Sequence, residues 1–302
     1  MHRSLPATLL CCALLLTAGC SGLTSDDPKQ SVSATPLDVP EDPTYPPGVT
    51  ENGIESVSTL LSAHKKALAT QSVTVHEATT ATRICHRVNA TDGESFSCEG
   101  ETVIYDGTIY ARVANQSHYL FSTRSKATRR EHNDAYVLHY YADGERIYTN
   151  RTHAENSTYQ IPRNPNGDPV DPRNMLYIID NEGILTNHLY SMNIVSVEQI
   201  QDSPTKLYRI TADGFEKPEE FIGSGDQTVS DGHLTLVVAE NGALRSYNSS
   251  YTITDEQGRV HVEQSVTYEN WGNTTVDAPD WISKVNETDE PTAETATATE
   301  AT

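Results

Sequence analysis

Ser62-Ala63-His64-Lys65 sets a hydroxyl and an amine three residues apart, one helical turn, the spacing at which a lysine activates a serine for acyl transfer. That chemistry also needs Ser-Asp-Asn and Lys-Thr-Gly elements, which the chain lacks, and Ser203-Pro204-Thr205-Lys206 repeats the pattern in loop-like sequence. No nucleophile is read from it, and there is no Gly-x-Ser-x-Gly elbow. Asn164-Pro-Asn166-Gly-Asp168 with Asp171 offers oxygen ligands at alternate positions. A calcium loop wants glycine after its third ligand, and here Pro169 stands there while Gly167 comes too early, so the stretch reads as a polar surface loop. The 11 histidines include no His-x-His, His-x-x-x-His or His-Glu-x-x-His arrangement, and His64 reads as a packing residue on an apolar helix face. The expectation is a protein that is not an enzyme and has no cofactor or metal.

Five cysteines divide by context. Leu16-Thr17-Ala18-Gly19-Cys20 ends a short apolar run that follows Arg3, too short for a membrane span and of the length of a signal peptide. The two small residues before Cys20 form a lipobox, with Thr17 where such motifs usually carry leucine. This predicts a signal peptide over residues 1–19, a lipid on Cys20, and a mature chain held on the outer face of the cell membrane. Cys11 and Cys12 leave with the signal, so Cys85 and Cys98 remain as an even pair in an oxidising compartment. A four-residue hairpin loop, Ala90 to Gly93, sets them directly opposite one another, whereas a two-residue Asp92-Gly93 turn offsets them by one pair. The first register permits a disulfide and is preferred for that reason.

The chain carries 42 acidic and 21 basic residues, a net charge of −21, with only seven lysines. The acidity is spread along the chain: residues 51–282 alone hold 32 acids and 18 bases. Such a surface repels itself in dilute solution and stays hydrated when salt screens it, as in halophilic proteins. Nucleic acid is excluded as a partner, since neutralising phosphates takes a Lys/Arg surface. Asn-x-Ser/Thr sequons at Asn89, Asn115, Asn150, Asn156, Asn248, Asn273 and Asn286 are candidate N-glycosylation sites on an exported protein.

The elements that position these residues follow from periodicity. Residues 20–50 are rich in Ser, Thr, Pro and Asp and read as a disordered tether. Residues 283–302 end in Thr/Glu/Ala repetition and read as a disordered tail, which leaves a single domain at 51–282. Asn52 and Glu55 could cap a helix that presents Val57, Leu60, Leu61, His64 and Leu68 on one face. From Ser72 the period becomes two: Val73/Val75, Val103/Tyr105, Ile109/Ala111/Val113, Tyr119/Phe121 and Tyr136/Leu138/Tyr140, with turns expected at Asp92-Gly93, Asp106-Gly107, Asn115 to Ser117, Arg129 to Asp134 and Asp143-Gly144. A second helical stretch is expected over about residues 173–190. Strands then follow over 194–200, 206–211, 234–240, 243–253 and 259–268. Asn241-Gly242 makes a two-residue hairpin that sets Leu236 opposite Tyr247.

The lipobox with Ser21-Gly22, the stretch Tyr45-Pro-Pro-Gly-Val49 leading to Leu60-Leu-Ser-Ala-His-Lys-Lys-Ala-Leu68, and Leu234 to Arg245 running on to Trp271 to Trp281 resemble a haloarchaeal membrane-anchored lipoprotein family of unknown function, across residues 16–282. More distantly, the plan is similar to the lipoprotein-carrier superfamily of LolA and LppX type. That resemblance implies an α+β fold in which a curved antiparallel sheet, a half-barrel, packs on one or two helices around a cavity for acyl chains. On that basis Leu236, Tyr247, Val260, Val262 and Val266 are expected to border a cavity for an apolar, lipid-like ligand. The alternative is a structural or interaction protein of the haloarchaeal cell envelope with a filled core.

Overall fold

The computed structural model describes residues 44–288, apart from 91–92, 99, 130–131, 154–155, 176–178, 180, 203 and 223–225. The signal segment, Cys20, most of the expected tether and residues 289–302 lie outside the described residues.

Helix α1 (Val57–Thr70) starts at Ser56, whose Oγ accepts the Thr59 N–H at 3.2 Å. Asn52 and Glu55 do not cap it. They flank or lie in a small ribbon of β1 (Val49–Thr50) and β2 (Gly53–Ile54), which reverses at Glu51–Asn52 and re-enters the ladder at Gly53, φ +138°. Val57, Leu60, Leu61, His64, Ala67 and Leu68 recur every three or four residues and form the buried stripe of α1.

Twelve strands then build one antiparallel sheet. In chain order they are β3 (Val73–Ala90), β4 (Gly93–Ser97), β5 (Thr102–Asn115), β6 (His118–Arg129), β7 (His132–Asp143), β8 (Ile147–His153), β9 (Asn156–Gln160), β10 (Met192–Gln201), β11 (Leu207–Phe215), β12 (Thr228–Ala239), β13 (Leu244–Asp255) and β14 (Gly258–Glu269). The spatial order is β10-β11-β12-β13-β14-β3-β5-β6-β7-β8-β9, with β4 paired to the far end of β3. Two meanders, β3–β9 and β10–β14, are therefore joined where the last strand lies beside the first long one. The sheet is curved and does not close: β9 and β10 are its two edges.

Strands β9 and β10 are neighbours in sequence and opposite edges in space, so residues 161–191 must cross the sheet on one face. That crossover holds a 3-10 turn at Pro172–Met175 and helix α2 (Glu182–Ser191). Among the described residues, hydrogen bonds from β6, β14 and the crossover itself fasten it to the sheet. Tyr119 Oη on β6 donates to the Pro172 carbonyl at 3.0 Å, Tyr268 Oη on β14 donates to the Ile179 carbonyl at 3.3 Å, and Asn181 Nδ2 donates to Glu77 Oε2 on β3 at 3.3 Å. We call the face under α1 and the crossover the inner face. The short helix α3 (Pro218–Ile222) covers its β13 side, and α4 (Ile282–Thr288) packs at β9, where Lys284 Nζ lies 5.5 Å from the centre of the Tyr159 ring.

Several expectations shift. Asp106-Gly107 is not a turn: β5 runs straight through it, paired on both sides, with Gly107 opposite Thr79 and Ser125. The glycine is there for space, since an added Cβ would overlap the Tyr105 ring folded back across it. The helical stretch over 173–190 narrows to the 3-10 turn and α2, and β8, β9 and α3 were not anticipated. The boundary at 50 falls late, because Tyr45 packs on Tyr208 with ring centres 5.4 Å apart and Val49 is buried. The boundary at 282 falls early, because Val285 on α4 is fully buried. The Asn241-Gly242 hairpin has the expected register, Leu236 opposite Tyr247, and Gly242 lacks the side chain that would collide with Ala63 of α1. Among the described residues no helix is long and apolar enough to cross a membrane.

Candidate functional site

At the α1 end, the inner face is covered by helix α1. Leu236, Tyr247 and Val266 are each 0% exposed and share one core with Leu60, Leu61 and Leu68. Val260 and Val262 lie further along β14, half-buried, with Val262 opposite Tyr251. Tyr251 is itself covered by Phe221 of α3, ring centres 4.8 Å apart, and by His188 of α2 at 5.6 Å. The five residues therefore do not wall one cavity. Those nearest the helices are filled by the α1 stripe, and the other two sit past that filling.

One row beyond the core the inner face turns polar, which the alternating pattern of the last strands concealed. Glu77 continues the inward parity of Val73 and Val75. Its Oε1 accepts from Gln264 Nε2 at 2.9 Å and from Thr79 Oγ1 at 3.4 Å, and its Oε2 accepts from Asn181. A carboxylate so engaged holds the crossover to the sheet centre. Beside it, Tyr247 Oη and Ser249 Oγ are buried without a hydrogen-bond partner. Burial, then the neighbouring Glu77 charge, raises the Tyr247 phenol above its ordinary range, so it stays protonated. The cue available in sequence was Glu77 itself, a charge at an inward position of a strand.

On the β7–β9 side the inner face holds a half-enclosed recess of about 250 Å³. Its floor is Leu138, Tyr140 and Ile147, its roof Pro162 and Val170, and Thr149, Arg151 and Gln160 supply polar groups. The roof is a small closed loop: Val170 N–H donates to the Pro162 carbonyl at 2.9 Å, and Asn164 Oδ1 accepts the N–H groups of Asn166 and Asp168, each at 3.0 Å. The Asn164–Asp171 stretch thus spends a side-chain oxygen on its own backbone. Sequence periodicity missed this recess because residues 147–160 had not been read as strands.

The other candidates place as follows. Cys85 and Cys98 are disulfide-bonded, with Cys98 lying just past β4 and the strands in the register that sets Ala90 opposite Gly93. Lys65 pairs with Glu182 Oε2 of α2 at 2.9 Å, and Ser62 is exposed on α1. His64 is buried. Its Nδ1 accepts the Leu244 N–H at 3.3 Å, its ring stands edge-on to Tyr268, and burial holds its pKa down to about 3. Of the sequons, Asn115, Asn156, Asn248 and Asn273 are exposed. Asn150 is only 8% exposed, which corrects its candidacy as a glycan site, because the amide is shut in among neighbouring strands. The side chains of Asn89 and Asn286 lie outside the described residues.

No curated protein matches the chain. Solved structures similar to it include LprF from Mycobacterium bovis, at 10% identity and a TM-score of 0.33, covering 76% of this chain and 99% of that one. A putative outer membrane lipoprotein-sorting protein domain from Vibrio parahaemolyticus is similar at 10% identity and a TM-score of 0.22, covering 76% and 98%. The description of the fold rests on the strand pairing above. The match that spans nearly the whole chain is to a family model over residues 6–285, and the chain belongs to that family, the family of unknown function DUF7537.

Proposed function

We propose that this protein is a lipid-anchored lipoprotein on the extracytoplasmic face of the cell membrane, which binds a lipid-like ligand on the inner face of its curved sheet and catalyses no reaction. The observation that carries the reading is the recess of about 250 Å³ between the sheet and the crossover, where Leu138 and Tyr140 remain half-buried. The lipobox at Cys20 supplies the anchor, and the open sheet leaves the inner face reachable from one side. Purification of the full chain in mild detergent, followed by organic extraction and mass spectrometry, is the test. A stoichiometric amphiphile is expected. Its absence, together with failure of the delipidated protein to bind any added alkyl ligand, would overturn the reading.

The alternative, an interaction protein of the envelope, draws on β10. That edge strand exposes Val195 by 53% and Ile200 by 39%, and an unpaired edge with apolar side chains is open to a partner strand. Crosslinking at residue 195 in intact cells separates the two readings.

A further inference from the structure

We infer that the ligand of the β7–β9 recess is a single-chain amphiphile with an anionic head, the chain lying between floor and roof and the head held by Arg151; this rests on the ligand-binding reading above. Leu138 and Arg151 are cross-strand partners, so the guanidinium stands on the same face as the apolar floor and beside it. Arg151 is exposed and lies 5.8 Å from the centre of the Tyr136 ring, and no carboxylate pairs with it among the described residues. Arg173, Arg209 and Arg259 pair with acids, whereas Arg151, like Arg83, Arg112, Arg124, Arg146 and Arg245, has no ion pair among the described residues; what sets Arg151 apart is its place beside the apolar floor. In a chain with twice as many acids as bases, a bare guanidinium at the mouth of an apolar recess is aimed at an anion that the protein itself does not supply. Its planar fork fits the paired oxygens of a carboxylate or phosphate head.

The rest of the lining fixes the tail. Leu138 and Tyr140 are half-buried and give the floor alkyl and ring surface, while Ile147, 1% exposed, is covered beneath them. The Thr149 hydroxyl is already committed to the Gln160 carbonyl at 3.3 Å, which leaves few unmet polar demands inside. At about 250 Å³ the recess lies below the usual range for pockets that take whole drug-sized ligands, so it suits one chain rather than two.

The test titrates delipidated full-length protein by calorimetry with decanoate, below its critical micelle concentration, and with 1-decanol, below its solubility limit. Decanoate is expected to bind at least tenfold more tightly. Arg151→Gln should bring decanoate to the level of decanol and leave decanol unchanged, and Val170→Trp, filling the recess from its roof, should abolish both; thermal melts show that each variant is folded. Equal binding of the two probes, or an Arg151→Gln variant that keeps its preference for decanoate, overturns the head assignment while the ligand-binding reading stands. If neither probe binds but a native amphiphile co-purifies, the recess is overturned as the site and ligand binding is retained. If neither probe binds and nothing co-purifies, both fall.

Discussion

Buried histidines contribute to the acid response of this protein, His64 and His188 most deeply, with half-buried His139 also lowered by burial. His64 is buried with its Nδ1 used as an acceptor, and burial keeps its pKa near 3 in place of the ordinary 6.5. His188 is likewise lowered by burial, against a smaller opposing effect of the Ile184 carbonyl that faces its Nδ1 at 2.8 Å. Because both folded pKa values lie below the unfolded one, their contribution is complete above about pH 6.5 and is lost as pH falls, by up to about 1.4 kcal/mol per pH unit for each group between its two pKa values. A fall in melting temperature from pH 7.5 to 4.5 is expected. His188→Phe, which keeps the ring packing on Phe221 and Tyr251, should lessen that fall when the two melting curves are compared. The sequence placed His64 on the helix face with Leu60, Leu61 and Leu68, but the depth of its burial depends on the Asn241-Gly242 hairpin seated against α1.

At the scale of elements, the long strand β3 does most of the organising. It pairs with β14 on one side and β5 on the other, and its far end pairs with β4 to form the hairpin that the disulfide closes. The sulfurs are 13 residues apart, so reduction frees a short loop, and the loss expected is about 3 kcal/mol on the chain-entropy scale. A Cys85→Ser, Cys98→Ser double variant unfolding at lower denaturant by that amount, with unchanged cooperativity, is the expected result. Unchanged stability would show that β4 adds no constraint to β3. Hairpins with strong turn residues were legible: Asn241-Gly242 and Asp143-Gly144 both reverse the chain, with Gly242 and Gly144 at positive φ. Asp106-Gly107 carried the same signal and is strand interior, because pairing with β3 and β6 on both sides outweighs a local turn preference.

For the whole molecule, charge is the dominant long-range quantity. A net charge of −21 with only 21 basic residues means that folding concentrates like charge, and the described ion pairs are mostly between exposed side chains, each of small value. The melting temperature is expected to rise as potassium chloride goes from about 0.1 M, where the screening length is near 10 Å, towards molar concentrations, where it shrinks to about 3 Å. A melting point indifferent to salt would mean that the acidic groups are compensated locally. A net charge of this sign disfavours anions in general, so a decanoate preference that depends on Arg151 is a local test and not a property of the surface.

What the sequence determined by itself is what depends on near neighbours: the amphipathic stripe of α1, the alternation of the long strands, the Leu236–Tyr247 register, and the pairing of two cysteines around one loop. These are set by periodicity and turn chemistry within a few residues. What only the tertiary structure decided is which inward positions are filled. Leu236, Tyr247 and Val266 were expected to border space and are core, because α1 and α2 lie over them. The recess lies instead at β7–β9, under the loop that leaves β9. Pro162 and Val170 come over Leu138 and Arg151 because the chain leaving β9 folds back across the sheet, which the weak alternation of residues 147–160 does not signal.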